Sequence, residues 1–332
     1  MKALIQKLVE AVGPSGYEKA VRDLVRAEIV PYVDEIRVDA MGNLLAHKGQ
    51  KSADGLRVML SAHMDEIGIV ATYVDEKGFV RFTTIGGVAP HTCIGSRVRF
   101  VNGAAGLIWV EKIENPEKLP GFEKMYIDTG ASSREECNVK VGDFAAFDRP
   151  FLDLGNRLVS KAMDDRIAVA VQIEALKALE STPHEIIAVF STQEEVGLRG
   201  AHTAAFGIDP ELGLSVDVTR TGDTPHGINM EVALGKGPAI KVRDGGMLAD
   251  PRVVKAMILA AERAGLPYQM EVLERGSTDA AAIQISRAGV PSGCLSIPCR
   301  YIHSPSEMVD MSDVNNSVRL LVEFLSEPII LE

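Results

Sequence analysis

The sequence predicts an α/β protein that is interrupted by a small β-rich module. Helix-forming and strand-forming segments alternate in the first and last parts of the chain. Between them, from Gly68 to Phe147, short apolar runs are separated by glycines and charged residues instead. Because the first pattern returns after this stretch, an insertion explains the order better than two consecutive domains. We therefore predict one α/β domain formed by residues 1–67 and 148–332, with a β-rich insert at 68–147.

The chain opens with two predicted helices and a strand. Apolar residues recur at helical spacing over residues 4–12, and the pattern breaks at the turn sequence 13–16 before a second amphipathic stretch at 17–30. The apolar run 57–62 follows a turn-rich segment and predicts a buried strand of an α/β sheet. His63 would then stand at the carboxyl end of that strand.

The inserted module is predicted to consist mainly of short strands, because turn residues separate its apolar runs. These runs lie at residues 69–74, 79–82 and 97–101. After the insert, the helical and extended patterns alternate again. They predict a helix at 165–179, strands at 185–190 and 212–216, and a closing helix at 314–325.

Length and charge exclude several classes of protein. The chain has 332 residues, 46% of them hydrophobic, which is enough for a large core. Its 35 basic and 46 acidic residues give a formal charge of −11, and no basic tract offsets this excess, so we exclude nucleic acid as a partner. The first ten residues place charges every few positions, unlike a signal peptide or a membrane span. We expect a cytoplasmic protein without membrane contact.

Acids and a histidine follow three of the predicted strands, namely His63, Asp65, Glu194, Glu195 and Asp217. Open α/β sheets bind their ligands at the carboxyl ends of strands. Residues two apart in an extended segment share a face, so Asp65 can accept a hydrogen bond from the His63 ring, as around many metal-bound histidines. Alone, such a pair more often is a histidine beside a surface acid. The other acidic clusters favour a metal site instead.

Asp164 and Asp165 stand at the predicted start of a helix. Acids are common there because they suit the positive end of the helix dipole. A carboxylate held at this position can also give one oxygen to each of two cations, and two-metal hydrolases hold their ions ~3.5–4 Å apart. Asp164 is the candidate bridge, with Asp165 and Arg166 as its local support.

Glu194 and Glu195 leave an apolar strand and enter a glycine-containing loop. A hydrolytic metal site needs one carboxylate that binds metal and another that takes a proton from the attacking water. The adjacent pair can supply both, although spacing alone does not assign the roles. His303, in a turn before a proline, is a further candidate ligand, with an exposed loop histidine as the alternative. The role of His91 stays open.

Six segments together resemble the tetrahedral-aminopeptidase family, also called the glutamyl-aminopeptidase or cellulase-M-like family. They run in the family's order from residue 13 to residue 304, so the resemblance covers nearly the whole chain. The segments are Gly13-Pro14-Ser15-Gly16-Tyr17-Glu18, Ala62-His63-Met64-Asp65-Glu66-Ile67-Gly68, Asp164-Asp165-Arg166, Gln193-Glu194-Glu195-Val196-Gly197, Gly276-Ser277-Thr278-Asp279-Ala280 and Tyr301-Ile302-His303-Ser304.

The resemblance implies five metal ligands around two divalent ions in each subunit. Asp164 would bridge the ions, His63 and Asp217 would complete one site, and Glu195 and His303 would complete the other. Two histidines with carboxylates suit zinc or cobalt, and manganese is also possible.

The resemblance also implies the reaction, the release of amino acids from the N-termini of short peptides. Glu194 would act as the base that deprotonates a water bridging the two metals, and Asp65 would be the outer partner of His63. Both residues are therefore predicted to serve catalysis.

A family member is expected to have the di-zinc exopeptidase fold, with a central mixed sheet flanked by helices. Residues 1–67 and 148–332 would form the catalytic domain, and 68–147 would be an assembly domain. Self-association into a tetrahedral homododecamer is implied as well.

Three other functions are compatible with parts of the pattern. A glycosidase also uses paired carboxylates, but it would leave His63, His303 and Asp217 without a role, and aromatic residues are only 5% of the chain. A noncatalytic scaffold would have no need of Glu194. An amidase or deacylase of related fold would use the same chemistry on other amide bonds.

Overall fold

The computed structural model describes residues 1–112 and 118–331. Two helices open the chain and pack their apolar faces into the main core, with Leu8 and Val25 fully buried. Three strands follow them. The bounds of these elements are α1 Lys2–Glu10, α2 Lys19–Ile29, β1 Glu35–Val38, β2 Leu44–Lys48 and β3 Arg57–His63.

The middle of the chain forms a small closed barrel. Its elements are β4 Gly68–Val74, β5 Val80–Ile85, α3 Pro90–Cys93, β6 Arg97–Phe100, β7 Ala105–Val110, β8 Met125–Asp128 and β9 Phe144–Phe147. The strands close in the order β4-β5-β8-β7-β6-β9. Val80, Phe100 and Met125 belong to a hydrophobic core inside the barrel that is separate from the main core.

The rest of the chain returns to alternating helices and strands. Its elements are β10 Leu152–Asp153, β11 Arg157–Ser160, α4 Met163–Ala178, β12 Glu185–Ser191, α5 Arg199–Ile208, β13 Leu212–Thr219, β14 Ala239–Arg243, α6 Pro251–Arg263, β15 Gln269–Val272, α7 Asp279–Gln284, β16 Ser292–Arg300, β17 Glu307–Asp310 and α8 Met311–Ser326.

In the described part of the chain, eleven strands form one mixed sheet. Nine of them follow the order β1-β2-β12-β3-β13-β16-β17-β11-β10, and β14 joins β15 to β16. The four central strands β12, β3, β13 and β16 are parallel, whereas β2, β14 and β17 run antiparallel to their neighbours in this centre. The predicted α/β class, with a mixed sheet flanked by helices and a small β-rich unit, is confirmed.

The central strands are buried on both faces, and their side chains alternate between two cores. In β3, Val58 and Leu60 pack on the side of α4, whereas Met59 packs on the side of α5 and α7. This alternation follows from the two-residue period of a strand. Helices on both faces therefore leave only the sheet edges and strand ends accessible.

The start of α4 differs from the sequence prediction. Asp164 and Asp165 lie within the bounds of α4, but their backbone angles are not helical, and the peptide bond between them is cis. They form an irregular entry in front of the regular helix. The helix start predicted here is present, but neither Asp164 nor Asp165 caps the helix with its side chain, so the prediction is only partly correct.

No helix in residues 1–112 or 118–331 is both long and apolar enough to cross a bilayer.

Candidate metal centre

Four neighbouring parallel strands bring their carboxyl ends together at one edge of the sheet. β3 ends at His63, and Asp217 lies near the end of β13. Glu194 follows the end of β12 by three residues, and His303 follows the end of β16 by three residues. Residues far apart in sequence thereby converge at the edge where open α/β sheets bind ligands.

Asp164 lies between the two histidines. Its Oδ1 is 3.0 Å from Nε2 of His63, and its Oδ2 is 3.4 Å from Nε2 of His303. One carboxylate thus offers a separate oxygen to each histidine. This is the arrangement that a bridging ligand in a two-metal site requires.

The adjacent acids Glu194 and Glu195 face different histidines. Glu195 Oε2 lies 3.2 Å from Nε2 of His303, whereas Glu194 Oε2 lies 3.9 Å from Nε2 of His63. Both side chains are mostly buried and line the same cleft. The structure therefore shows that Glu194 and Glu195 have different surroundings, a difference that their adjacent positions in the sequence do not reveal.

Asp65 organises the segment that carries these acids. Its Oδ1 accepts the main-chain N–H of Glu194 at 2.9 Å, and its Oδ2 accepts that of Glu195 at 3.2 Å. Oδ2 also accepts the hydroxyl proton of Ser15 at 2.6 Å. Nδ1 of His63 lies 3.1 Å from the main-chain oxygen of Asp65 and 3.5 Å from its carboxylate. Asp65 thus contacts His63 as expected, but the nearer atom is the main-chain oxygen.

Asp217 and Asp165 complete the cluster on the other side of His63. The possible ligand atoms of His63, Asp165 and Asp217 lie within 4.8 Å of one another, as do those of His63, Asp164 and Glu195. The five sequence-predicted ligands therefore come together. Asp165, expected only as support, also reaches the cluster, and its Oδ2 accepts the main-chain N–H of His63 at 3.3 Å.

The two histidines are strongly biased toward their charged forms. Burial by itself lowers the pKa of His63, but hydrogen bonds to Asp164 and Asp65 outweigh it and raise this pKa well above its ordinary value. For His303, burial likewise opposes the acids, yet Asp164 and Glu195 raise the pKa to about 11. The acids around His63 and His303 thus favour positive charge at both rings.

The acids around the histidines are crowded. The pKa values of Glu194 and Asp217 are raised well above the ordinary carboxyl value; burial is the largest cause, His63 opposes it, and neighbouring carboxylates add to it. Oε1 of Glu195 and Oδ1 of Asp165 are buried without a hydrogen-bond partner in the described residues. Unpartnered buried carboxylate oxygens are unfavourable unless a cation binds them. Imidazole and carboxylate donors fit zinc, cobalt or manganese, so the residues present fit divalent metal ions.

An open cleft of about 1090 Å³ gives access to the cluster. His63, Asp164 and Asp217 lie at its floor, and Ile228 and Val272 are among the residues that line it. Its volume is slightly above the usual range for small-molecule pockets, which leaves room for a peptide end. Gly87 of the barrel also borders the cleft.

Two buried acids that sequence reasoning did not single out support the cluster. Asp279 accepts the hydroxyl protons of Ser61 and Ser191, which lie on the adjacent strands β3 and β12, at 2.6 and 2.5 Å. Glu307 accepts main-chain N–H groups from Asp164 and His303. Their positions in the sequence could have indicated a role at the site. Asp279 belongs to one of the segments that resemble the family, and Glu307 stands four residues after His303.

A mixed sheet with this donor set at its strand ends defines the class, a metal-dependent hydrolase of the α/β type. The chain belongs to the M42 glutamyl aminopeptidase family, whose sequence profile matches residues 42–320. It is therefore an aminopeptidase, and the resemblance seen in the motifs is confirmed.

The relatives are similar over nearly their whole length. A putative aminopeptidase from Acetivibrio thermocellus is 49% identical, with 96% of this chain and 97% of the relative covered. Lysyl aminopeptidase from Pyrococcus furiosus is 36% identical, with 98% and 96% covered.

Solved structures support the same family. An aminopeptidase from the archaeon Desulfurococcus kamchatkensis is 41% identical with a TM-score of 0.94, covering 98% of this chain and 94% of that one. The Pyrococcus horikoshii TET1 peptidase, which can assemble into a tetrahedron or a large octahedral shell, is 31% identical with a TM-score of 0.89, covering 98% and 99%. A Thermotoga maritima protein described as an endoglucanase is 31% identical with a TM-score of 0.82, covering 97% and 96%.

Proposed function

We propose that this aminopeptidase works with two divalent metal ions in each subunit, held by His63, Asp164, Glu195, Asp217 and His303. The observation that carries the proposal is that Asp164 turns one oxygen toward each histidine, at 3.0 and 3.4 Å. His63 and Asp217 serve one ion, and Glu195 and His303 serve the other. Asp165 approaches the first group and holds the main chain of His63.

The ions are zinc or cobalt in this proposal, with manganese as a further candidate, because histidine and carboxylate donors suit all three. Bound there, divalent ions polarise a carbonyl oxygen and lower the pKa of water.

Glu194 is the proposed base. Its side chain lines the cleft, and its Oε2 lies 3.9 Å from Nε2 of His63. It takes a proton from the attacking water and delivers it to the amine of the leaving peptide. Asp65 serves this step by holding the main chain of Glu194 and Glu195 through two N–H groups.

The substrates in this proposal are short peptides with a free N-terminus, and 1–67 with 148–332 form the catalytic domain. The barrel at 68–147 acts as an assembly domain in this proposal, and the P. horikoshii peptidase, which can assemble into a tetrahedron or a large octahedral shell, is the relative that suggests an assembly. The finer predictions of a homododecamer and of a cytoplasmic location remain proposals.

The decisive assay compares one peptide with a free amine and the same peptide with an acetylated N-terminus. We expect release of the first residue only from the free-amine form, loss of activity after chelation, and recovery with added Zn²⁺ or Co²⁺. Cleavage of the acetylated peptide at a similar rate would favour an amidase or deacylase. A soluble β-glucan tests the glycosidase alternative, and full activity of a metal-free preparation would refute the metal proposal.

A further inference from the structure

Glu307 lies beneath the metal centre and is buried, with 1% of its surface exposed. Its Oε2 accepts the main-chain N–H of Asp164 at 2.9 Å, and its Oε1 accepts the main-chain N–H of His303 at 2.8 Å. One carboxylate thus holds two of the proposed ligands, one at the entry of α4 and the other in the loop between β16 and β17.

The strand register explains how Glu307 reaches both. It is the first residue of β17 and pairs with Ser160 at the end of β11, four residues before Asp164. His303 lies in the loop between β16 and β17, four residues before Glu307. The side chain therefore connects the entry of α4 to the loop that carries His303.

We propose that Glu307 is a positioning residue of the metal centre, which sets the distance between Asp164 and His303 through their main chains. This inference rests on the proposed function, because it treats both residues as metal ligands. Glu307 itself is not a proposed ligand, since both of its oxygens already accept main-chain N–H groups.

The backbone around His303 shows why such a support is needed. His303 has a φ of +64° and Tyr301 has a φ of +63°, so two non-glycine residues adopt the left-handed conformation. Such residues cost free energy and persist only where the surroundings hold them. The hydrogen bond from the His303 N–H to Glu307 is one of these holding contacts.

Glu307 is buried although burial is unfavourable for a carboxylate. Burial raises its pKa well above the ordinary value, and the charge of Asp164 adds to this effect. No lysine, arginine or histidine forms an ion pair with Glu307 in the described ranges. A group that is costly to bury and that binds two ligand residues fits a role in the site better than a role in stability alone.

Asp313 of α8 provides a matched control. It is fully buried, and its carboxylate also accepts two main-chain N–H groups, from Gly235 at 2.6 Å and from Gly237 at 2.7 Å. Neither glycine is a proposed ligand. If the defect arises only from the loss of a buried carboxylate that accepts two main-chain hydrogen bonds, it should appear equally in Asp313→Asn.

The experiment compares wild type, Glu307→Gln and Asp313→Asn as full-length proteins. An amide keeps the shape but can accept at only one end, so Glu307→Gln loses one of the two main-chain hydrogen bonds. We expect the affinity of the metal-free protein for Zn²⁺, measured by competition with a chromophoric chelator, to fall about 10–100-fold in Glu307→Gln. Asp313→Asn should bind Zn²⁺ as wild type does, and excess Zn²⁺ should restore most of the activity of Glu307→Gln.

Each other outcome has a defined consequence. Unchanged Zn²⁺ affinity in Glu307→Gln, or an equal loss in Asp313→Asn, overturns the positioning role. If Glu307→Gln does not fold, Glu307→Asp replaces it, because the shorter side chain cannot span both N–H groups, and the same criteria apply. Wild type that binds none of Zn²⁺, Co²⁺ and Mn²⁺ would refute the proposed function and this inference together, whereas the first two outcomes refute the inference alone.

Discussion

Glu194 and Glu195 are neighbours in the chain but differ in what their carboxylates contact. Oε2 of Glu195 lies 3.2 Å from Nε2 of His303, next to the proposed bridge Asp164. Oε2 of Glu194 lies 3.9 Å from the His63 ring and faces the cleft. We interpret Glu195 as a ligand and Glu194 as the base because of this difference.

Replacement of each glutamate by glutamine separates the two roles. We expect Glu194→Gln to keep both metal ions and to lose about 10²–10⁴-fold in kcat, the usual contribution of general-base catalysis. Glu195→Gln should lose metal and should be partly rescued by excess metal, because added cation can refill a weakened site but cannot accept a proton. Metal content per subunit and kcat are measured across a metal titration, with the exposed Glu180→Gln as control. The roles are reversed if Glu194→Gln is the variant that loses metal and recovers.

At the scale of elements, the barrel contributes a loop to the candidate metal centre. A Cβ atom built on Gly87 would lie 2.4 Å from Nδ1 of His303, and one on Gly86 would lie 3.0 Å from Oε2 of Glu195. These two glycines follow β5, so the barrel packs directly against two proposed ligands. A side chain at Gly87 has no room unless His303 moves.

We therefore expect Gly87→Ala to displace the His303 ring and to weaken metal binding by about tenfold or more, as when a ligand loses its support. Gly87 does not have a left-handed backbone, so the substitution acts through contact with His303 and not through φ. Gly207→Ala is the matched control, because nothing lies within 4 Å of its added Cβ. Zn²⁺ affinity is measured for both, and equal affinity in Gly87→Ala and wild type would contradict the predicted contact.

A second element-scale feature joins three segments through His184. Nδ1 accepts the main-chain N–H of Leu56, just before β3, at 3.0 Å. Nε2 lies 3.0 Å from the main-chain oxygen of Glu327, just after α8, and donates to it in the neutral ring. Burial lowers the pKa of His184, and the Glu327 oxygen only partly opposes this. Protonation of Nδ1 would break the bond from Leu56.

The sign of the pH effect follows from the lowered pKa. The unfolded chain binds a proton near pH 6.5, before the folded protein does, so the contribution of neutral His184 is complete above that pH and is lost as pH falls toward the folded pKa. We expect the unfolding free energy of wild type to fall more steeply than that of His184→Gln below about pH 6.5. Urea unfolding at several pH values, on metal-free samples of both proteins, measures this difference. Parallel slopes would show that His184 does not titrate on unfolding.

At the scale of the whole molecule, the barrel carries large apolar side chains on its outer surface. Tyr73 is 50% exposed, Trp109 is 48% exposed and Val141 is 65% exposed. Aromatic residues such as Tyr73 and Trp109 are enriched where copies of a protein meet. These exposed side chains are the structural basis of the proposal that copies of the chain assemble through the barrel.

If the proposed homododecamer forms, we expect light scattering to give a particle of about twelve times the mass of one subunit, since a closed homo-oligomer has a fixed number of copies. The measurement is made at working concentration and repeated after dilution. A monomeric mass under both conditions would contradict the predicted assembly.

A second consequence of a closed shell is that a stably folded protein with a buried N-terminus is not trimmed, whereas an unfolded peptide of the same sequence is.

Several parts of the protein were predictable because they depend on local patterns. The strand Arg57–His63 and the helix Met311–Ser326 bury apolar residues at the strand and helix periods, so their positions follow from sequence. The short strands β1 and β2 were not predicted, because their pairing depends on β12, which lies far along the chain. The non-helical backbone at Asp164 was not predicted, because its main-chain N–H is bound by Glu307, which lies far along the chain.

By itself, the sequence determined the fold class, the family and the set of side chains able to bind metal, because these depend on residue type and on order along the chain. The tertiary structure decided which of these side chains meet. The parallel strands β12, β3, β13 and β16 bring His63, Glu194, Asp217 and His303 to one edge, and Asp164 comes between the histidines. Roles for Glu307 and Gly87 also required the structure. Each acts through contact with a residue of another element, and such contacts are set by packing and strand register rather than by spacing in the chain.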